Sequence, residues 1–165
     1  MDNVFIGLGS NLGNRLAFMR GGRDALLATS DVALVRASSV YETVPVGGPA
    51  DTPLFLNAVL QIITSLTPQE LLAACLAIED DFGRTRPKRW APRTLDMDIL
   101  MYGDHVLDHE HLVIPHPRFH ERAFVMAPMQ EIAPQIVHPR LLRNMTDLAS
   151  ELPEVLMLKP IRETW

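Results

Sequence analysis

Leu95-Asp96-Met97-Asp98-Ile99-Leu100-Met101-Tyr102 alternates with a period of two, the spacing of a β-strand whose two faces meet different surroundings. On that reading Leu95, Met97, Ile99 and Met101 share one face, and Asp96, Asp98, Leu100 and Tyr102 share the other. Aspartate is a poor strand former. Two aspartates on one face stand about 7 Å apart and repel each other. A divalent cation reverses that cost, because hard cations such as Mg²⁺ take carboxylate oxygens and keep positions for water and substrate phosphate. The competing reading is a solvent-facing strand whose acids pair with neighbouring arginines.

Those neighbours lie just upstream. Arg84, Arg86, Lys88, Arg89 and Arg93 form a window with no acid, broken by Pro87 and Pro92 into loop rather than helix. The chain has 165 residues and a net charge of -5. On charge alone, an acidic body with one cationic window fits a small, highly charged anion or a solvated basic loop equally well, and not non-specific nucleic-acid binding. The window holds mutually repelling charges and little apolar surface, so it is expected to be mobile in the free protein. Carboxylates for metal beside several guanidiniums are the equipment of phosphoryl transfer, where the protein positions groups and neutralises charge.

Outward from this centre, residues 4–9 read as an opening strand and Ser10-Asn11 as turn and cap chemistry. Leu12, Leu16, Met19 and Leu26 mark a helix, weakened at Gly21-Gly22. Residues 32–41 and 55–65 read as strands, and 43–53, with three prolines and two glycines, as a loop. Leu71, Cys75, Ile78 and Phe82 form a helix stripe opened by Thr67-Pro68, with Cys75 a small core residue. Val106-Leu107 and Leu112-Val113-Ile114 suit a short hairpin, ended by Pro115-His116-Pro117. Residues 119–132 read as a helix with a break or kink at Pro128, 141–152 as a short helix, and 155–158 as a last strand. Interleaved strands and helices with a close strand pair indicate α+β with a mainly antiparallel sheet.

Composition sets the class. With 47% apolar and 21% charged residues the chain is neither disordered nor a membrane protein. Its one cysteine and its start, Met1-Asp2-Asn3-Val4, without a basic and apolar leader, lead us to expect a single cytoplasmic domain over residues 1–165.

The run Arg89-Trp90-Ala91-Pro92-Arg93-Thr94-Leu95-Asp96-Met97-Asp98-Ile99-Leu100 resembles the signature of the 6-hydroxymethyl-7,8-dihydropterin pyrophosphokinases of folate synthesis. The resemblance extends to Gly9-Ser10-Asn11-Leu12, Ser38 to Thr43, Phe55-Leu56-Asn57-Ala58, Gly83 to Arg86, Val113 to His116 and Arg122-Ala123-Phe124. It implies a ferredoxin-like α+β fold, ATP as co-substrate, two Mg²⁺ ions, and transfer of pyrophosphate from ATP to the pterin hydroxymethyl group. By position, Asp96 and Asp98 would hold the metal, and Arg84 and Arg93 would steady the transferring group. Arg86, Trp90, His116, Arg122 and backbone at Ile99 and Val113 would bind ATP. Phe55 and Phe124 would sandwich the pterin, Asn57 would read its edge, and backbone at Thr43 and Val46 would complete that recognition. No nucleic acid or membrane partner is implied, and a monomer is expected. The chain departs from the family pattern at Leu76, His111 and Pro117. Two rival readings use the same acids differently: a ferredoxin-like binding or regulatory module without catalysis, and a nucleotide-sugar transferase using Asp96-Met97-Asp98.

Overall fold

The computed structural model describes residues 1–45, 52–83 and 94–165. The cationic window with Arg84, Arg86, Trp90 and Arg93, and its expected mobility, lie outside the described residues, as does Val46.

A mainly antiparallel sheet runs in the order β2 (Val32–Ala37), β4 (Phe55–Thr64), β1 (Asp2–Ser10), β5 (Asp96–Tyr102), with β3 (Tyr41–Thr43) also on β4. Alternation in β1 sets the two faces. Val4, Ile6 and Leu8 enter a core with α1 (Arg15–Ala28) and α2 (Pro68–Asp81). On the opposite face Phe5, Val59, Leu100 and Met101 pack under α3 (Ala123–Ile132) and α4 (Met145–Ala149). Gly7, Gly9, Phe55, Asn57, Asp96 and Asp98 belong to this second face by register but lie beyond that apolar cluster. Among the described residues no helix is long and apolar enough to cross a membrane.

The expected alternation in β5 fails after Ile99. Ile6 pairs with Ile99 and Phe5 with Met101, so Leu100 is an extra residue on β5. Such a bulge flips every later side chain. Met101 therefore joins the α3 side and Tyr102 the α1–α2 side, the reverse of the strict two-residue reading.

Five other expectations change. Residues 32–41 are two strands laid end to end along β4, interrupted at Ser38, whose side chain takes over a backbone role: its N–H donates to Val59 O while its Oγ accepts from Val59 N–H. Residues 119–132 divide into a 3-10 turn, Phe119–Glu121, and α3, which continues through the buried Pro128 without ending there. The helix expected over 141–152 shortens to α4, because Arg143–Asn144 (β9) pairs with Val137–His138 (β8) and Asn144 Oδ1 accepts from Asp147 N–H. Residues 155–158 are not a strand; Pro153–Met157 is a 3-10 helix whose Leu156 and Met157 are exposed, and among the described residues no strand pairs with it. Leu12 precedes α1 and is exposed, since Asn14 caps that helix by accepting from Ala17 N–H.

The Gly21-Gly22 pair is a close-packing site. A Cβ at Gly22 would stand 2.6 Å from Leu95, and one at Gly21 2.6 Å from Phe82. These glycines let α1 approach the entrance of β5 and the end of α2. Thr67 and Glu70 cap α2 reciprocally, as the Thr67-Pro68 start implies. Cys75 is fully buried and its thiol is pushed up to about 12 by burial, then by Glu79 and Asp98, which makes it an inert core residue. β6 (Leu107–His109) and β7 (Leu112–Ile114) form the expected hairpin.

Candidate active site

The register across β5, β1 and β4 builds the site. Asp98 lies opposite Gly7, and Asp96 opposite Gly9, which in turn lies opposite Asn57. Beside the two acids, β1 thus offers backbone with no side chain. Asp96 and Asp98 are both partly buried. The pair fits a hard cation: two carboxylates on one face, with no bulky cross-strand neighbour on β1 to fill the space next to them. Among the described residues no group of three or more His, Cys, Asp or Glu side chains is arranged around a metal position. A cation at the pair would take its remaining ligands from substrate and water.

Asn57 is 7% exposed inside β4, and its amide donates to Thr43 Oγ1 at 2.7 Å. Its Oδ1 sits 3.3 Å from where a Cβ on Gly9 would be, and Phe55 Cδ1 lies 3.9 Å from the same point. Phe55, Asn57 and Thr43 therefore gather at the Gly9 end of the face. The sequence reading gave Thr43 a backbone role; the structure adds a side-chain one, fixing which way the Asn57 amide points.

His116 begins the segment after β7, where its N–H donates to Leu100 O at 2.9 Å, at the bulge of β5. Its Nδ1 accepts from Arg118 N–H at 3.3 Å. Burial first, and the Arg122 cation second, push its pKa down to about 4, while the Asp96 carboxylate acts in the opposite sense. The imidazole is neutral at pH 7, with its proton on Nε2, free to donate. Arg122, the residue before α3, lies with its guanidinium 5.9 Å from the Phe124 ring centre. His116 thus feels the charges of both Arg122 and Asp96, and Arg122 in turn lies over the Phe124 ring.

Ile99 is buried on the α1–α2 side of β5, and β7, with Val113 at its centre, packs beside this edge strand. Of the departures, His111 is solvent-exposed, and Leu76 and Pro117 differ in that Leu76 is partly buried and Pro117 exposed.

Sequence reasoning missed Glu79. It is 1% exposed on α2, and its Oε1 accepts from the N–H of Met97, the residue between the two acids, at 2.7 Å. The signal was there: Glu79 falls four residues after Cys75, on the buried side of the helix, where an unpaired carboxylate is costly.

The sequence matches the 7,8-dihydro-6-hydroxymethylpterin-pyrophosphokinase family over residues 5–134. It is 45% identical to the 2-amino-4-hydroxy-6-hydroxymethyldihydropteridine pyrophosphokinase of Bacillus subtilis, covering 82% of this chain and 81% of that protein. It is 40% identical to the enzyme of the same name from Haemophilus influenzae, covering 96% and 98%. The fold matches a crystal structure of an HPPK-DHPS from Plasmodium falciparum with a TM-score of 0.73 at 13% identity, over 91% of this chain. It spans 44% of that solved chain, so this likeness speaks for the fold alone. The chain belongs to the 7,8-dihydro-6-hydroxymethylpterin-pyrophosphokinase family.

Proposed function

We propose that this chain transfers pyrophosphate from ATP to the hydroxymethyl group of 6-hydroxymethyl-7,8-dihydropterin, releasing AMP, as a step of folate biosynthesis. The observation that carries the reading is the placement of Asp96 and Asp98 beside glycines on β1, with Asp96 in the row of Gly9 and Asn57 and Asp98 on the same face one pleat further, in the row of Gly7. An acid pair for phosphate-bound metal and a buried amide for a heterocycle edge then lie one strand apart.

Asp96 and Asp98 would hold two Mg²⁺ ions, which would neutralise phosphate charge and lower the pKa of the attacking hydroxyl. The hydroxymethyl oxygen bonds to the β-phosphorus as the bond from that phosphorus to the α-phosphate oxygen breaks; AMP carries away the electron pair, and the hydroxyl proton passes to water. Phe55 and Phe124 flank the flat ring, which aromatic faces bury well, and Asn57 offers its edge both a donor and an acceptor. Thr43 and Val46 add backbone partners. Neutral His116 donates from Nε2 to a phosphate oxygen, and Arg122 supplies fixed positive charge beside it. Arg84 and Arg93 steady the transferring group, while Arg86, Trp90 and the backbone of Ile99 and Val113 bind the nucleotide. Residues 1–165 act as one cytoplasmic, monomeric pyrophosphokinase domain.

Product analysis tests this directly. With ATP, Mg²⁺ and the pterin alcohol, the purified protein should form AMP and the pterin diphosphate in equal amounts. Formation of ADP, or no pterin-dependent AMP, would overturn the reading. A binding module would instead show no Mg²⁺-dependent affinity for a non-hydrolysable ATP analogue in calorimetry.

A further inference from the structure

Among the described residues β5 is an edge strand: β1 pairs with one side, and no described strand of the sheet lies on the other. An edge strand leaves alternate backbone groups without a ladder partner. Met97 donates its N–H to Glu79 Oε1, so that N–H faces away from β1. Three residues on, Leu100 O accepts from His116 N–H. The outer edge is thus held on each side of Asp98, once by a buried side chain from α2 and once by the segment after β7.

This matters because of what stands on the inner edge. Asp96 and Asp98 are opposite Gly9 and Gly7, so β1 gives their side chains nothing to lean on. The β5 backbone carries both acids, and Met97 lies between them. The peptide between them is fixed by Glu79, which reaches it from the α1–α2 side while the acids project to the other face.

We infer that Glu79 is a positioning residue for the Asp96–Asp98 pair: through Met97 N–H it holds the strand segment at the spacing the metal needs, without itself touching metal or substrate. The inference rests on the metal reading above. Outer partners of metal ligands commonly carry a large share of metal affinity although they never contact the ion.

The test compares Glu79→Met, which keeps volume and loses the acceptor, with Glu79→Gln, which keeps a carbonyl oxygen for Met97 N–H. Mn²⁺ binding in the presence of a non-hydrolysable ATP analogue is followed by electron paramagnetic resonance, and exchange of the Met97 amide proton by NMR. Glu79→Met should bind Mn²⁺ about tenfold or more weakly, with faster Met97 exchange. Its kcat should fall, with the pterin KM little changed. Glu79→Gln should recover most of both readouts. Should Glu79→Met fail to fold, Glu79→Gln and Glu79→Asp decide it, since the shorter Asp should lose the Met97 bond and the Mn²⁺ affinity together. Wild-type Mn²⁺ affinity in a folded variant whose Met97 amide exchanges freely would overturn the inference and leave the metal reading standing. No metal-dependent nucleotide binding by the wild type would remove both.

Discussion

The Asn57 side-chain amide donates to Thr43 Oγ1 at 2.7 Å, across the pairing of β4 with β3. Both residues are buried, so the bond is sheltered from water and fixes the amide's orientation. Thr43→Val removes the acceptor at nearly constant volume. It should cost about 1–3 kcal/mol through the unsatisfied amide donor. It should also raise the pterin KM while the affinity for the ATP analogue stays the same, and Thr43→Ser should restore both. Unchanged pterin affinity in Thr43→Val would show that the amide needs no orienting.

Gly9 bears on the same amide from the other side. Its missing Cβ would sit 3.3 Å from Asn57 Oδ1, tight enough that the amide has to shift. Gly9→Ala should therefore weaken pterin binding about tenfold, the cost of losing one net hydrogen bond of about 1.4 kcal/mol. Calorimetry of the pterin with Gly9→Ala, set beside Gly7→Ala as a control further along β1, measures it. Equal losses in the two variants would point to a general effect on the strand.

Replacing one acid of the pair separates charge from shape. Asp96→Asn or Asp98→Asn removes like-charge repulsion, so thermal stability without ligand should hold or rise. Turnover should fall about 100-fold or more, as when a preorganised electrostatic contact is lost. Melting curves and steady-state rates on the same preparations check both halves. Near-normal turnover in either variant would remove the metal assignment.

His116 and His138 are both held neutral, each pushed down to about 4 from 6.5, in both cases by burial first. His138 stacks on Phe119, and its Nδ1 accepts from the N–H groups of Arg140 and Leu141. In the unfolded chain each imidazole binds a proton below pH 6.5, whereas in the folded chain it does so only near 4. The stability they contribute is complete above pH 6.5 and is lost as pH falls towards 4. Urea unfolding across that window should show proton uptake on unfolding, and His138→Gln should flatten the slope. An identical slope in that variant would mean other groups carry the dependence.

How much of this was legible varies by element. The Asp96–Asp98 face was readable from alternation because the strand is regular up to Ile99. The bulge at Leu100 was not, since nothing in an apolar run marks an extra residue. Asn57 stood out as a polar residue in an apolar strand, but its partner Thr43, the last residue of β3, reads from sequence as the first residue of a proline-rich loop. The strand expected at 155–158 failed because apolar alternation says nothing about whether a neighbouring strand exists. The burial of Glu79 was legible in its spacing from Cys75, but its partner, a backbone N–H 18 positions away, follows from no spacing rule.

The last residues of the chain close a gap that the sheet leaves at its opposite edge. Where β2 gives way to β3, Ile161 N–H donates to Val40 O, Pro160 bridges Tyr41, and the Trp165 indole N–H donates to Ser38 O. Arg23 on α1 lies over that indole, 5.6 Å from its centre. The carbonyls of Ser38 and Val40 are therefore spent inside the molecule. A neighbouring copy finds no template there on which to add a strand, so this stretch resists the edge-to-edge stacking that begins aggregation.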